Sequence, residues 1–119
     1  MSTINRGRSA EQQALAYLLK QGLKLLGQNY YCRSGEIDLI MQEGDYLVFI
    51  EVRSRSNIQF GDAIASITFA KRQKIIRTAS HYLLKNKRYE QTPVRFDVIG
   101  IEGNTGVITW LKDAFNADY

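Results

Sequence analysis

The chain is 119 residues long and carries a net charge of +4, from 16 lysines and arginines against 12 acidic residues. That length suits one domain with one core, and a 45% hydrophobic content excludes a disordered or fibrous chain. The single cysteine, Cys32, excludes an intrachain disulfide and a cysteine-built zinc site. With a polar N-terminus and no apolar run near the roughly 20 residues of a membrane helix, the expectation is a soluble cytoplasmic protein without a membrane partner.

Residues 1–8 read as a polar arm bearing Arg6 and Arg8, and residues 9–119 as a single domain. Ser9 followed by Gln12 resembles a capping box. Ala14, Leu15, Leu18 and Leu19 recur at helical spacing, so a first helix is predicted over residues 10–21, closed by Gly22. A strand is predicted over residues 23–32. The stretch GEIDLIMQEGDYLVFIEVRSR then reads as two strands joined by a turn at Glu43-Gly44-Asp45.

A polar loop is expected over residues 54–62 and a second helix over residues 66–85. Phe69, Ile76, Ala79 and Leu83, joined by Ile75 and Tyr82, form its apolar side. After Pro93 come the strand VRFDVIGI, the connection GNTG and the strand VITWL. The order α-β-β-β-α-β-β implies a mixed α/β sandwich, the helix returning the chain to the sheet.

Two carboxylates interrupt the hairpin. Alternation sets Ile37, Leu39 and Met41 on one face of the first strand, with Glu36, Asp38, Ile40 and Gln42 opposite. On the second strand, Tyr46, Val48, Ile50 and Val52 oppose Asp45, Leu47, Phe49, Glu51 and Arg53. If both apolar faces meet one core, even residues pair with odd ones through a two- or four-residue turn. Asp38 and Glu51 then share a face, directly opposite or on the diagonal, with Glu36 and Arg53 beside them. Two readings stay open: a hard divalent cation held between the acids, or a solvated face of ordinary ion pairs.

An acid on one strand and Glu-x-Lys on the next resembles the signature of the PD-(D/E)XK nucleases. The segments RGRSAEQQALAYL, GEIDLI, LVFIEVRSR, Phe60-Gly61, the lysine-bearing helix and RFDVIGI resemble the YraN family of uncharacterised bacterial proteins, grouped with Holliday junction resolvase-like nucleases. The resemblance implies a restriction-endonuclease-like mixed sheet, hydrolysis of DNA phosphodiesters with branched DNA as a candidate substrate, and a homodimer. It implies Asp38 and Glu51 as ligands for Mg2+ or Mn2+, the Val52 carbonyl as a third ligand, and Glu11 as a helix acid completing the site. Glu11 also has a simpler reading, an acid in a first helical turn favoured by the macrodipole.

Arg53 stands where the superfamily has its lysine, and no proline precedes Asp38. A guanidinium cannot serve as a base, but it can orient water or stabilise charge on phosphate. A module that binds nucleic acid without cleaving it is the competing reading, and a protein-interaction domain a third.

Lys71, Lys74, Thr78, His81 and Lys85 recur along the long helix, with Arg72 and Arg77 nearby. With Arg6, Arg8, Arg55, Lys87 and Arg88 they suggest a diffuse basic surface for a nucleic-acid backbone; a solvated helix face is the other reading. His81 reads as a surface residue, Cys32 as a strand residue without chemistry, and Asp97 as the partner of a basic group. Tyr30 and Tyr31 can stack on bases or pack.

Overall fold

The computed structural model describes residues 3–55 and 67–116, with side chains from Ser9 onward. Helix α1 spans Thr3–Lys20, and strands β1 (Lys24–Cys32), β2 (Gly35–Glu43) and β3 (Tyr46–Arg55) follow. Helix α2 (Phe69–Lys85) leads through a 3-10 turn at Lys87–Tyr89 to β4 (Val94–Glu102) and β5 (Ile108–Phe115). The expected order of elements is the observed one. The side chains of Arg6 and Arg8, most of the expected polar loop, Phe60, Gly61 and Ser66 lie outside the described residues. Among the described residues no helix is long and apolar enough to cross a membrane.

The strands form one five-stranded sheet in the order β1-β2-β3-β4-β5. β3 and β4 run parallel, with α2 between them in sequence, and the other neighbours run antiparallel. The hairpin turn is two residues, Gly44-Asp45, because Glu43 pairs with Tyr46. Gly44 has φ +58°, and Asp45 is absent from the positive-φ residues, which is the type II′ pattern that favours glycine in first position.

The sheet carries a helix on each side. Ala10, Ala14 and Leu18 of α1 bury against Leu39, Met41, Val48, Ile50, Ile99 and Ile101. On the other side Ile75, Ile76, Ala79 and Tyr82 of α2 bury against Ile40, Leu47, Phe49, Phe96 and Val98. The central strands β3 and β4 are therefore apolar on both faces, as a sheet sandwiched between helices requires.

Three local expectations are corrected. Helix α1 begins at Thr3 rather than near residue 10, so Ser9 is inside the helix and does not cap it; its Oγ accepts from Gln13 Nε2 at 3.3 Å. Phe69 is 69% exposed, because it opens α2 and the buried residues of that helix begin at Ile75. Ile37 packs with Ile40 and α2 rather than with Leu39, a departure from strict alternation that shapes the site described below.

Thr68 caps α2, its Oγ1 accepting from the Lys71 amide at 3.2 Å. Thr68→Ala is expected to cost about 1 kcal/mol. A denaturant melt should show a lower midpoint at unchanged slope, with Thr68→Asp retaining the wild-type midpoint.

Candidate functional site

The β2–β3 ladder runs from Glu43↔Tyr46 to Leu39↔Ile50 and stops there. Both strands continue, but with their outer neighbours. β2 stays paired with β1 down to Cys32↔Gly35, and β3 stays paired with β4 to Arg55↔Glu102. The sheet therefore forks, and Asp38 and Glu51 are the rung at which it opens. Continuing the observed register would set them directly opposite each other, which is one of the two arrangements alternation allowed.

Backbone geometry shows what the fork leaves unpaired. The Leu47 amide donates to the Pro93 carbonyl at 2.9 Å, so the odd residues of β3 face β4 and the even ones face β2. Past Ile50 the next amide facing β2 belongs to Val52, which has lost its ladder partner. It donates instead to Asp38 Oδ2 at 2.7 Å. A strand residue directs its amide and carbonyl to the same side, so the Val52 carbonyl also faces the fork.

The break in alternation falls at Asp38. Residues on either side of it, Ile37 and Leu39, point to opposite faces of the sheet. Across the β1–β2 pair the matching position is Asn29, which has φ +49°, the left-handed region that asparagine tolerates. Asn29 Nδ2 donates to Glu11 Oε2 at 2.8 Å and to Glu36 Oε1 at 3.1 Å. One amide thus ties α1 to β2. Carboxylate oxygens of Glu11, Glu36 and Asp38 all lie within 4.8 Å of one another.

The first turn of α1 contains no acid, so the macrodipole reading of Glu11 falls away. Glu11 lies midway along the helix and faces the other acids. Glu36 is the residue that the sequence reading left out of the ligand set, although its position two before Asp38 put it on the expected face. Glu51 stands outside the tightest trio and acts on Asp38 from the β3 side.

The electrostatics record the crowding. Burial, then the Glu51 carboxyl, push Asp38 from an ordinary 3.8 up to about 8, against the lowering effect of the Val52 amide. Glu11 is also raised, by burial first and then by Asp38 and Glu36, with Asn29 opposing. The only cation paired with these acids among the described residues is Arg53, whose Nη2 lies 3.5 Å from Glu51 Oε2. Its buried Nε has no hydrogen-bond partner among the described residues.

Such a site has a defined pH dependence. The folded protein keeps the Asp38 proton to higher pH than the unfolded chain does. The resulting stabilisation is complete below pH 3.8 and is lost as pH rises toward about 8. In metal-free buffer the stability, read as the melting temperature, should fall progressively between roughly pH 5 and pH 8. Asp38→Asn keeps an acceptor for Val52 and should flatten that slope in a series of thermal melts. Parallel wild-type and variant profiles would contradict the assignment.

Around the acids, Arg53, Lys71 and Lys74 line a cleft of about 280 Å³ with Gly35, Glu36, Glu51 and Ile75. Gly35 has φ +152°, a backbone conformation that side chains rarely adopt, which favours glycine there, although a Cβ would meet Thr78 Oγ1 only at an ordinary 3.4 Å contact. Other expected basic residues lie elsewhere. Arg72 donates from Nε to the Ile67 carbonyl at 3.1 Å and stacks over Phe115. Arg55 lines a separate polar groove with Ser9, Gln13 and Glu102.

His81 is not a bare surface residue: its Nδ1 lies 2.6 Å from the Tyr30 hydroxyl. Cys32 is buried in β1, as a strand residue should be. Asp97 is paired with Arg95, as expected of a buried strand acid.

The family described as Uncharacterised protein family UPF0102 matches residues 10–101. The UPF0102 protein of Legionella pneumophila strain Corby is 60% identical over 115 residues, covering 97% of this chain and 98% of its own length. Those of Nitrosococcus oceani and Pseudomonas fluorescens strain Pf0-1 are 50% and 46% identical, covering 96% and 98% of this chain and 94% and 97% of their own lengths.

Proposed function

The chain belongs to the UPF0102 family, the YraN family of the sequence reading, and on that premise we propose that it is a divalent-metal-dependent nuclease acting on DNA phosphodiesters. The observation that carries this is the convergence of Glu11, Glu36 and Asp38 at the fork, with Glu51 acting on Asp38. Like charges so close destabilise one another unless a cation joins them. An all-oxygen donor set, with the Val52 carbonyl added, suits a hard ion such as Mg2+ or Mn2+. The raised Asp38 and Glu11 are what such a set looks like without that charge.

A bound ion of this kind supplies a polarised phosphoryl oxygen and a water of lowered pKa. The protein's own groups do the rest. Asp38 is held in place by the Val52 amide, and Glu11 and Glu36 by Asn29. Arg53 lines the cleft with its guanidinium beside Glu51, and a group that stays protonated suits charge on a phosphate oxygen better than proton transfer. Lys71 and Lys74 on the cleft wall fit backbone phosphates on either side.

The alternative, a binding module that has lost its chemistry, draws on one fact: Arg53 occupies the place of a titratable lysine. The test is incubation of the purified protein with labelled single-stranded, duplex and four-way-junction DNA, with Mg2+ or Mn2+. Metal-dependent cleavage is expected. Binding without cleavage of any substrate would transfer the assignment to the binding module, and absence of both would remove nucleic acid from the reading.

A further inference from the structure

The acid cluster has an aromatic neighbour that neither the fold nor the metal-site reading uses. Tyr31 is 74% exposed on β1, an edge strand of the sheet. The other described tyrosines are engaged. Tyr17 packs on Trp110, Tyr30 and Tyr89 on Tyr82, and Tyr46 lies under Arg95. Tyr31 has no ring or hydrogen-bond partner among the described residues. Its adjacent residue in sequence, Tyr30, is turned inward and held by His81 and Tyr82.

Register fixes what Tyr31 stands beside. It pairs directly with Glu36, so the two side chains share a face with their Cβ atoms about 5 Å apart. Glu36 is one of the clustered acids. Two residues back along β1, Asn29 bridges Glu36 to Glu11. Two residues on, Arg33 is exposed at the turn into β2. The rim of the site is therefore bridging amide and exposed ring along the edge strand β1, followed by a cation in the turn that closes it.

A lone exposed aromatic is ordinary on a protein surface. One placed a cross-strand step from a phosphodiester-cleaving centre has a specific use. In a duplex both faces of each base are covered by neighbours, so a tyrosine ring can stack only on a base that has been freed. Resting on the nuclease reading above, we propose that Tyr31 stacks on an unpaired base beside the phosphate at the acid cluster, so that the substrate is single-stranded or strand-separated DNA at that point. Stacking tolerates any base, so the preference is for strandedness rather than sequence.

The test measures binding by fluorescence anisotropy, with calcium as the divalent ion, to a labelled oligothymidylate strand and to a blunt duplex of equal length. Tyr31→Ala should weaken single-strand binding by about 5- to 100-fold and leave duplex binding unchanged. Tyr31→Phe, which keeps the ring, should match the wild type on both. Unchanged single-strand binding by Tyr31→Ala would overturn the stacking role while leaving the nuclease reading intact. Equal losses on strand and duplex would also overturn it, since the ring would then act on fold or backbone. Failure of the wild type to bind either DNA would overturn this inference together with the reading beneath it.

Discussion

Asp38→Asn and Glu51→Gln, each exchanging one carboxylate oxygen for an amide, are expected to reduce metal-dependent DNA cleavage by more than about 100-fold. The size follows from the chemistry of the site. Loss of a group that merely orients a ligand costs about 10- to 100-fold in metal affinity or activity, so loss of a ligand itself costs more. The isosteric changes preserve shape, and the amide introduced by Asp38→Asn still offers an oxygen to the Val52 N–H. Neither variant should unfold the protein, and Asp38→Asn should be the more stable at pH 8 without metal, because it removes a charge that burial and Glu51 oppose.

A second readout separates a metal site from a structural acid cluster. A metal that binds only the folded state raises stability by RT ln(1 + [L]/Kd), about 2.7 kcal/mol at 100 times Kd. Mn2+ should therefore raise the wild-type melting temperature and leave both variants unmoved. Cleavage that persists at the wild-type rate in Asp38→Asn would locate the chemistry elsewhere. A melting temperature that Mn2+ shifts equally in all three proteins would exclude the fork as the binding place.

Period-two patterning made the hairpin legible, and with it the rung that brings Asp38 toward Glu51. Legibility ended where the sheet departs from regularity. The two faces of β2 exchange at Asp38, where the strands part, and the groups that meet there include Asn29 on another strand and Glu11 on a helix. Neither partner is local in sequence. Glu36 was visible as a charge on the expected face, but nothing in GEIDLI says that an asparagine seven residues earlier would draw it to Glu11. The start of α1 was missed for a simpler reason. TINRGRS carries little apolar periodicity, so Ser9 and Gln12 resemble a capping box although the helix is already under way there.

Asp97 shows the same limit and gives the largest expected loss of stability. The sequence implies a basic partner without saying which; it is Arg95, two residues away on β4, whose Nε and Nη2 donate to the two Asp97 oxygens at 2.9 Å each. The remaining partners come from β5. Trp110 Nε1 donates to Oδ2 and the Asp113 amide to Oδ1, both at 2.9 Å. The β4–β5 register slips between Phe96↔Phe115 and Val98↔Leu111, so three residues of β5 lie opposite Asp97 alone. Asp113, at φ +54°, is the middle of that bulge. The bulge thus delivers a backbone donor to a carboxylate that is 1% exposed.

Beyond Asp97, Arg95 reaches Glu43 at 2.8 Å, and Lys112 reaches the same carboxyl at 3.3 Å. Burial works against the Glu43 charge, but Arg95 and Lys112 hold its carboxyl below the usual range. Asp97→Ala would leave the inner side of the Arg95 guanidinium, the Trp110 indole N–H and the Asp113 amide without their acceptor. Removing one partner of a buried, hydrogen-bonded pair costs about 3–5 kcal/mol, because the other charge stays behind. For a chain of this size that lowers the melting temperature by roughly 10–20 °C. Lys112→Ala, at the 50% exposed end of the same network, should cost no more than about 0.5 kcal/mol. Equal melting temperatures for the two variants would show that Glu43 and solvent satisfy Arg95 unaided, and that the β5 bulge stands without the acid.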